Sequence, residues 1–301
     1  MRRATHSAVA RAFSRVAANH ARAHVRLTCA SAAAPAAPAA RVVARAGGDQ
    51  DMSWAEPELR RFRRLDAEER TTTEGAKNVV LFVGSSIFRE WRELRAFDED
   101  WARDGWRVKN RAFGGSTTAD VLRAFDDVAS STVASADARK IIVYYCGSND
   151  ISMGVPPSVV VGNFVEFTKR CREASRADVG FCFVGVIDSP QKRLFGMSKD
   201  VEEVNALAKE FCGTDEKLAF VDVTSVFADA NGAAKTELFR DDCTHLKPYA
   251  YDAFKAAIEP VVSELAAKIF VDNDDNGVES ARDEGAQNVK LEDDFLPPSM
   301  R

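Results

Sequence analysis

His245 is the only histidine beyond the first 48 residues, since His6, His20 and His24 all fall inside that stretch. Any imidazole chemistry in the rest of the chain must run through it, and a metal centre built from several histidines is excluded. Asp242 stands three residues earlier, in Asp242-Cys243-Thr244-His245-Leu246-Lys247-Pro248. That spacing puts both side chains on one turn, where the carboxylate can accept the Nδ1 proton and leave Nε2 as the basic nitrogen. A base of this kind calls for a nucleophile. Ser86, in Leu81-Phe82-Val83-Gly84-Ser85-Ser86-Ile87-Phe88-Arg89-Glu90-Trp91, follows a short apolar run and opens a helical pattern. A serine on such a turn presents its hydroxyl at a strand end, and the free N–H groups of the helix can stabilise developing negative charge. Taken singly, each residue has an ordinary explanation: Ser86 as a helix cap, His245 as a structural side chain.

Two further segments carry donors. Asn110-Arg111-Ala112-Phe113-Gly114-Gly115-Ser116 holds paired glycines, which let a backbone N–H approach a ligand with no Cβ in the way. Cys146-Gly147-Ser148-Asn149-Asp150 holds an amide side chain that can donate to an oxyanion. Alone, either reads equally well as a turn or cap.

The elements that must position these residues alternate. Five short, nearly continuous apolar runs span Asn78 to Gly84, Trp106 to Phe113, Lys140 to Cys146, Gly180 to Ile187 and Leu218 to Val223. Runs of that kind fit strands covered on both faces. Helix signals fill the gaps: Ser53 before an amphipathic stretch to Arg70, Thr117-Thr118 ahead of Val121-Leu122-Phe125, Pro156-Pro157 opening a stretch to Ala174, Ser198 before Val201 to Phe211, and Tyr249 to Ile269. The alternation predicts an α/β fold, a three-layer α/β/α domain on a doubly wound, flavodoxin-like parallel five-stranded sheet. Ligands in such folds bind outside the carboxyl ends of the strands. The four chemistry-bearing segments fall there, in order, after strands one, two, three and five.

Together, Gly84-Ser85-Ser86, Gly115, Gly147-Ser148-Asn149-Asp150 and Asp242-Cys243-Thr244-His245 resemble the four blocks of the SGNH (GDSL-like) hydrolases over about Trp54 to Pro260. The first two blocks are most similar to the branch reading Gly-Ser-Ser-x-x-Arg-x-Trp and Asn-Arg-x-Phe-Gly-Gly-Ser. The wider family usually has Asp where this chain has Ser85. The resemblance implies Ser86 as nucleophile, His245 as general base and then acid, and Asp242 as its orienter. It also implies an oxyanion hole made of the Ser86 N–H, the Gly115 N–H and the Asn149 amide. The expected activity is hydrolysis of a small or medium acyl ester, an acetyl group on a sugar being one candidate, through an acyl-enzyme without cofactor or metal. The alternatives are a thioesterase or lysophospholipase of the same fold, or a catalytically silent binding member.

Composition sets the frame. The 301 residues are 46% hydrophobic and 29% charged, and no run is long and apolar enough to span a membrane. Residues 1–48 carry eight arginines and no acid, so subtracting those charges from the net −5 leaves −13 for the remainder. An acidic body disfavours nucleic acid and anionic membrane surfaces as partners, leaving a small-molecule ester as the expected one. The Arg-, Ala- and Ser-rich leader reads as an organellar transit peptide, addressing the chain to a plastid or mitochondrion. Residues 53–271 read as the esterase domain, and residues 272–301, with nine acids and three bases, as a disordered acidic tail. The six cysteines form no CxxC pair, which suits a reducing compartment. Cys146 and Cys243 flank site residues; they read first as free packing cysteines, with a regulatory disulfide between them as the alternative. The segment Asp188 to Met197 is expected to border the pocket; its cations read first as those of a solvated loop, with a role toward a polar or anionic substrate as the alternative.

Overall fold

The structure, a computed structural model, describes residues 51–69, 78–135 and 138–270. The leader expected over residues 1–48 and the tail expected over residues 272–301 lie outside the described residues. Five strands, β1 (Asn78–Gly84), β2 (Trp106–Asn110), β3 (Lys140–Tyr145), β4 (Val179–Val184) and β5 (Leu218–Val221), form one sheet in the order β2-β1-β3-β4-β5. Every pairing is parallel. The doubly wound α/β/α fold expected from the alternating runs is the fold observed.

Side chains of successive strand residues point to opposite faces, which sorts the apolar runs into two cores. Leu81, Val83, Ile142, Tyr144, Phe181 and Phe183 face one side. They are covered there by α1 (Glu56–Glu69), α2 (Thr118–Arg123), α4 (Pro157–Ala174) and α5 (Ser198–Cys212), with Phe62, Val121, Phe164, Phe167 and Phe211 as the main contributors. Val80, Phe82, Ile141, Val143, Cys182 and Val184 face the other side. A helix from Ser86 to Leu94 and a long C-terminal helix from Ala250 to Ile269 cover them through Phe88, Trp91, Tyr251, Phe254, Ile258 and Val262. We call these two αN and αC, and the short helix Ser148–Ser152 between β3 and α4 is α3.

Several strands end earlier than their apolar runs. β2 stops at Asn110, although Arg111 N and Phe113 N still donate to Phe82 O and Gly84 O at 2.8 and 3.0 Å. Beyond β4, Val186 turns its N–H and carbonyl to the Asn205 side chain at 2.7 and 2.9 Å instead of to a neighbouring strand. Since β2 and β3 lie on opposite sides of β1, the chain reverses direction across the sheet at β1. The crevice of this fold class opens at that point, outside the carboxyl ends of β1 and β3.

Candidate active site

Gly84 closes β1 with φ 152°, and its backbone runs so near β3 that a Cβ there would stand 1.9 Å from Tyr145 O. Only glycine allows that approach, and the tight crossing turns the chain directly from strand to helix. Ser86 is therefore the first residue of αN, where its N–H has no acceptor within the helix. Its half-buried side chain points to the crevice.

The His245 ring meets Ser86 from the far end of the chain. His245 Nε2 lies 2.9 Å from Ser86 Oγ, and His245 Nδ1 lies 2.8 Å from Asp242 Oδ2. Asp242 Oδ1 accepts the N–H groups of Thr244 and His245 at 2.9 and 2.8 Å, so the carboxylate organises the turn as well as the ring. Burial raises the Asp242 carboxyl, but the bonds from His245 and Thr244 outweigh it and bring the pKa down to about 2. A permanently ionised carboxylate on Nδ1 fixes the tautomer in which Nε2 is the acceptor. The turn is pinned by Arg240 N to His245 O, Cys243 N to Arg240 O and the Phe239–Leu246 bridge. Cys243 takes φ 59° in it.

The remaining two segments close on Ser86. Asn149 Nδ2 donates to Ser85 Oγ at 2.8 Å and to Ser116 O at 2.9 Å, which sets the amide beside Ser86. Gly115 is exposed at the crevice in the left-handed region, with φ 80°. A Cβ added to Gly115 would touch the half-exposed Trp54 ring at 3.7 Å. The two loops are locked together by Asp150, whose buried carboxylate accepts the Thr118 N–H at 3.0 Å and the Thr118 hydroxyl at 2.6 Å. Burial pushes the Asp150 carboxyl up, and those bonds oppose it. Asn110 ties the second loop to αN through Nδ2 to Phe88 O at 2.8 Å. Arg111 ties it to α1 through the buried pair with Asp66 at 2.7 Å. All five site residues named from the sequence thus converge, Ser86, Asp242 and His245 in one hydrogen-bonded chain, with Asn149 at the start of α3 and Gly115 on its loop beside them.

Two alternatives left open by the sequence are decided. Cys146 carries a free, buried thiol on Ser116 O, raised well above its ordinary range by burial first and then by Asp150, so it forms no bond to Cys243. The cations of the 188–197 segment are engaged by the protein: Lys192 is buried against Ser152 and Gln191, and Arg193 pairs with Asp188 at 3.0 Å. The segment does border the site, since Gln191 N donates to Cys243 O at 3.0 Å.

The sequence matches the GDSL-like lipase/acylhydrolase family over residues 72–253. The chain belongs to that family. A GDSL-family fold also relates it to a protein described as an acylhydrolase from Bacteroides fragilis, with 21% identity over 71% of this chain and 100% of the other at a TM-score of 0.56. A GDSL-like lipase from Bacteroides thetaiotaomicron gives 17% identity over 68% and 98% of the two chains at 0.53. At these identities the likeness is one of fold. No curated protein gives a significant match. As expected, none of the described helices is long and apolar enough to cross a membrane.

One group near this GDSL-family site was not singled out from the sequence. Glu90 is buried, with Oε1 3.9 Å from His245 Nε2 and Oε2 bonded to Arg240. Its position four residues after Ser86 on αN was the available signal, because residues at that spacing share a helix face.

Proposed function

We propose that this acylhydrolase is a serine carboxylic ester hydrolase acting through an acyl-enzyme. His245 Nε2 takes the Ser86 proton as Oγ bonds to the acyl carbon, and the carbonyl electron pair moves onto oxygen. The N–H groups of Ser86 and Gly115 and the Asn149 amide receive that oxyanion. To do so Asn149 redirects a proton from Ser85 Oγ, and the exchange is favourable because a charged acceptor bonds roughly twice as strongly as a neutral one. Collapse of the intermediate breaks the bond to the alcohol oxygen, which leaves with the proton held by His245. Water then repeats the sequence on the acyl-enzyme, regenerating free Ser86.

The observation that carries this reading is the continuous chain Asp242–His245–Ser86, with links of 2.8 and 2.9 Å. It supports a working nucleophile over a silent binding member, since a ligand-binding role gives no reason for a base to sit on the Ser86 hydroxyl. The half-exposed Trp54 beside Gly115 favours a substrate with a flat or apolar face, such as an acylated sugar or a medium acyl chain. Fluorophosphonate labelling of the purified protein, followed by p-nitrophenyl esters of rising chain length, tests the assignment. Ser86-dependent labelling with ester turnover is the expected result, and an unlabelled, inactive protein refutes it.

We further propose that residues 1–48 are an import address for a plastid or mitochondrion. A full-length fluorescent fusion should enter the organelle and a fusion lacking those residues should not. Diffuse cytosolic signal from the full-length fusion refutes the address.

A further inference from the structure

We propose that Glu90 is a second carboxylate serving the base, holding negative charge against His245 Nε2 as that nitrogen takes up the Ser86 proton. The inference rests on the esterase reading above and adds a positioning residue to it. Ser86 and Glu90 are separated by one turn of αN, so the helix that presents the nucleophile also presents this acid, on the same face. Glu90 Oε1 stands 3.9 Å from His245 Nε2, too far for a hydrogen bond and near enough for a strong Coulomb interaction.

The two carboxylates differ in what surrounds them. Asp242 is 47% exposed at its side chain, whereas Glu90 is 8% exposed. Water screens a charge at the first position far more than at the second, so Glu90 acts on the ring through a lower effective dielectric. Asp242 fixes the tautomer through Nδ1. Glu90 favours the charged ring from the side where the proton arrives.

A buried carboxylate needs compensation, and the cluster supplies it. Arg89, on αN itself, donates to Oε1 at 3.3 Å, and Arg240, from the turn that carries His245, bonds Oε2. Tyr251 faces the cluster from αC, and its phenol is pushed up by burial first and then by the Glu90 charge. The charged groups around His245 are thus Asp242 and Glu90 on the negative side and Arg89 and Arg240 on the positive side. Removing one member of each sign should push the imidazolium in opposite directions, which a purely structural role would not do.

The test compares wild type, Glu90→Gln and Arg240→Gln by kcat and KM for a p-nitrophenyl ester across pH 5 to 9, normalised to fluorophosphonate-labelled sites. Glu90→Gln should lower kcat about tenfold with KM within about twofold. The acid limb of its kcat/KM profile should move to lower pH, because a ring deprived of that negative charge protonates less readily. Arg240→Gln, which removes a cation and keeps Glu90, should move the limb to higher pH. Arg240 is partly exposed, so this arm can be read even where Glu90→Gln does not fold. Coincident profiles, or displacements of the same sign, overturn the Glu90 role while leaving an active wild type and the esterase reading intact. A wild-type protein with no Ser86-dependent turnover overturns both.

Discussion

The proposed nucleophile and the proposed base of this site sit in different kinds of structure. Ser86 and Asn149 are held at the ends of two central strands, over walls of buried Phe, Tyr and Trp side chains and next to the buried Asp150 and Ser85. Asp242 and His245 ride on a partly exposed turn that joins a short, irregular segment to αC, and they are kept in place by a handful of backbone bonds. The first half inherits its geometry from the core, so its side chains can be altered without moving the backbone. The second half is shaped by its own functional residues, since Asp242 both orients the ring and closes the turn. Chemistry and local folding are therefore separable on one side and entangled on the other.

The largest expected effects break the site at each half. Ser86→Ala should remove nearly all ester turnover, by about 10⁴-fold or more in kcat, while the melting temperature stays within a few degrees of wild type. His245→Ala should cost as much, because triad members act as a unit. A Ser86→Ala protein keeping more than about a tenth of wild-type turnover would contradict the triad assignment. Asn149→Ala comes next, with kcat lower by roughly 10²-fold to 10³-fold and KM nearly unchanged, since its contribution is made to charge present only in the transition state. A change confined to KM would instead make Asn149 a ground-state contact.

Asp150→Ala sharpens the contrast from inside the core half. It deletes a buried carboxylate that satisfies both the N–H and the hydroxyl of Thr118, leaving those donors without their acceptor. Loss of such charged hydrogen bonds should destabilise the fold by about 3–4 kcal/mol, read by urea denaturation, and should loosen the Gly115 loop. Equal stability of variant and wild type would show that water replaces the carboxylate and that the two loops are held by other contacts.

These contrasts bear on what could be read from the sequence. β1, β3 and the helices Pro157–Ala174 and Ser198–Cys212 were legible almost to the residue, because continuous apolar runs and Pro or Ser starts leave little freedom. The far ends of β2 and β4 were not. Arg111–Phe113 and Gly185–Ile187 are as apolar or as buried as their strands, so local pattern does not mark the ends: Val186 leaves the sheet for Asn205, and β2 ends although Arg111 and Phe113 still donate to Phe82 and Gly84. The same limit applies to the site. Ser86, Asn149 and the Asp242–His245 pair announce themselves by local spacing. Glu90 with Arg240, 150 positions away, and Asp66 with Arg111, 45 away, depend on partners that nothing nearby in the sequence names. The cationic character of the 188–197 segment was legible too, whereas the inward direction of Lys192 was not.

Lys192 joins the two halves and gives the smallest of these effects. It lies on the helical turn Pro190–Leu194, whose Gln191 N–H holds the His245 turn through Cys243 O, while its own Nζ reaches Ser152 at the end of α3, the helix that carries Asn149. Burial lowers its pKa from 10.5 to about 8, partly countered by the charge of Asp188. Because the folded-state value lies below the unfolded one, the unfolded chain binds the extra proton between about pH 8 and 10.5. Stability contributed by this residue therefore rises with pH across that window, and the burial penalty is present in full below it. The displacement corresponds to about 3 kcal/mol for a side chain this buried. Lys192→Met removes the titration, so the stability of wild type relative to that variant should improve by about that amount between pH 8 and 10.5. The comparison with the variant is necessary because the buried thiols and phenols, all raised by burial, pull the stability of both proteins the other way in alkali. A difference between the two proteins that stays flat with pH would mean that the Lys192 ammonium is solvated by its hydrogen bonds as well as by water. The bridge between the core half and the turn would then carry no electrostatic penalty.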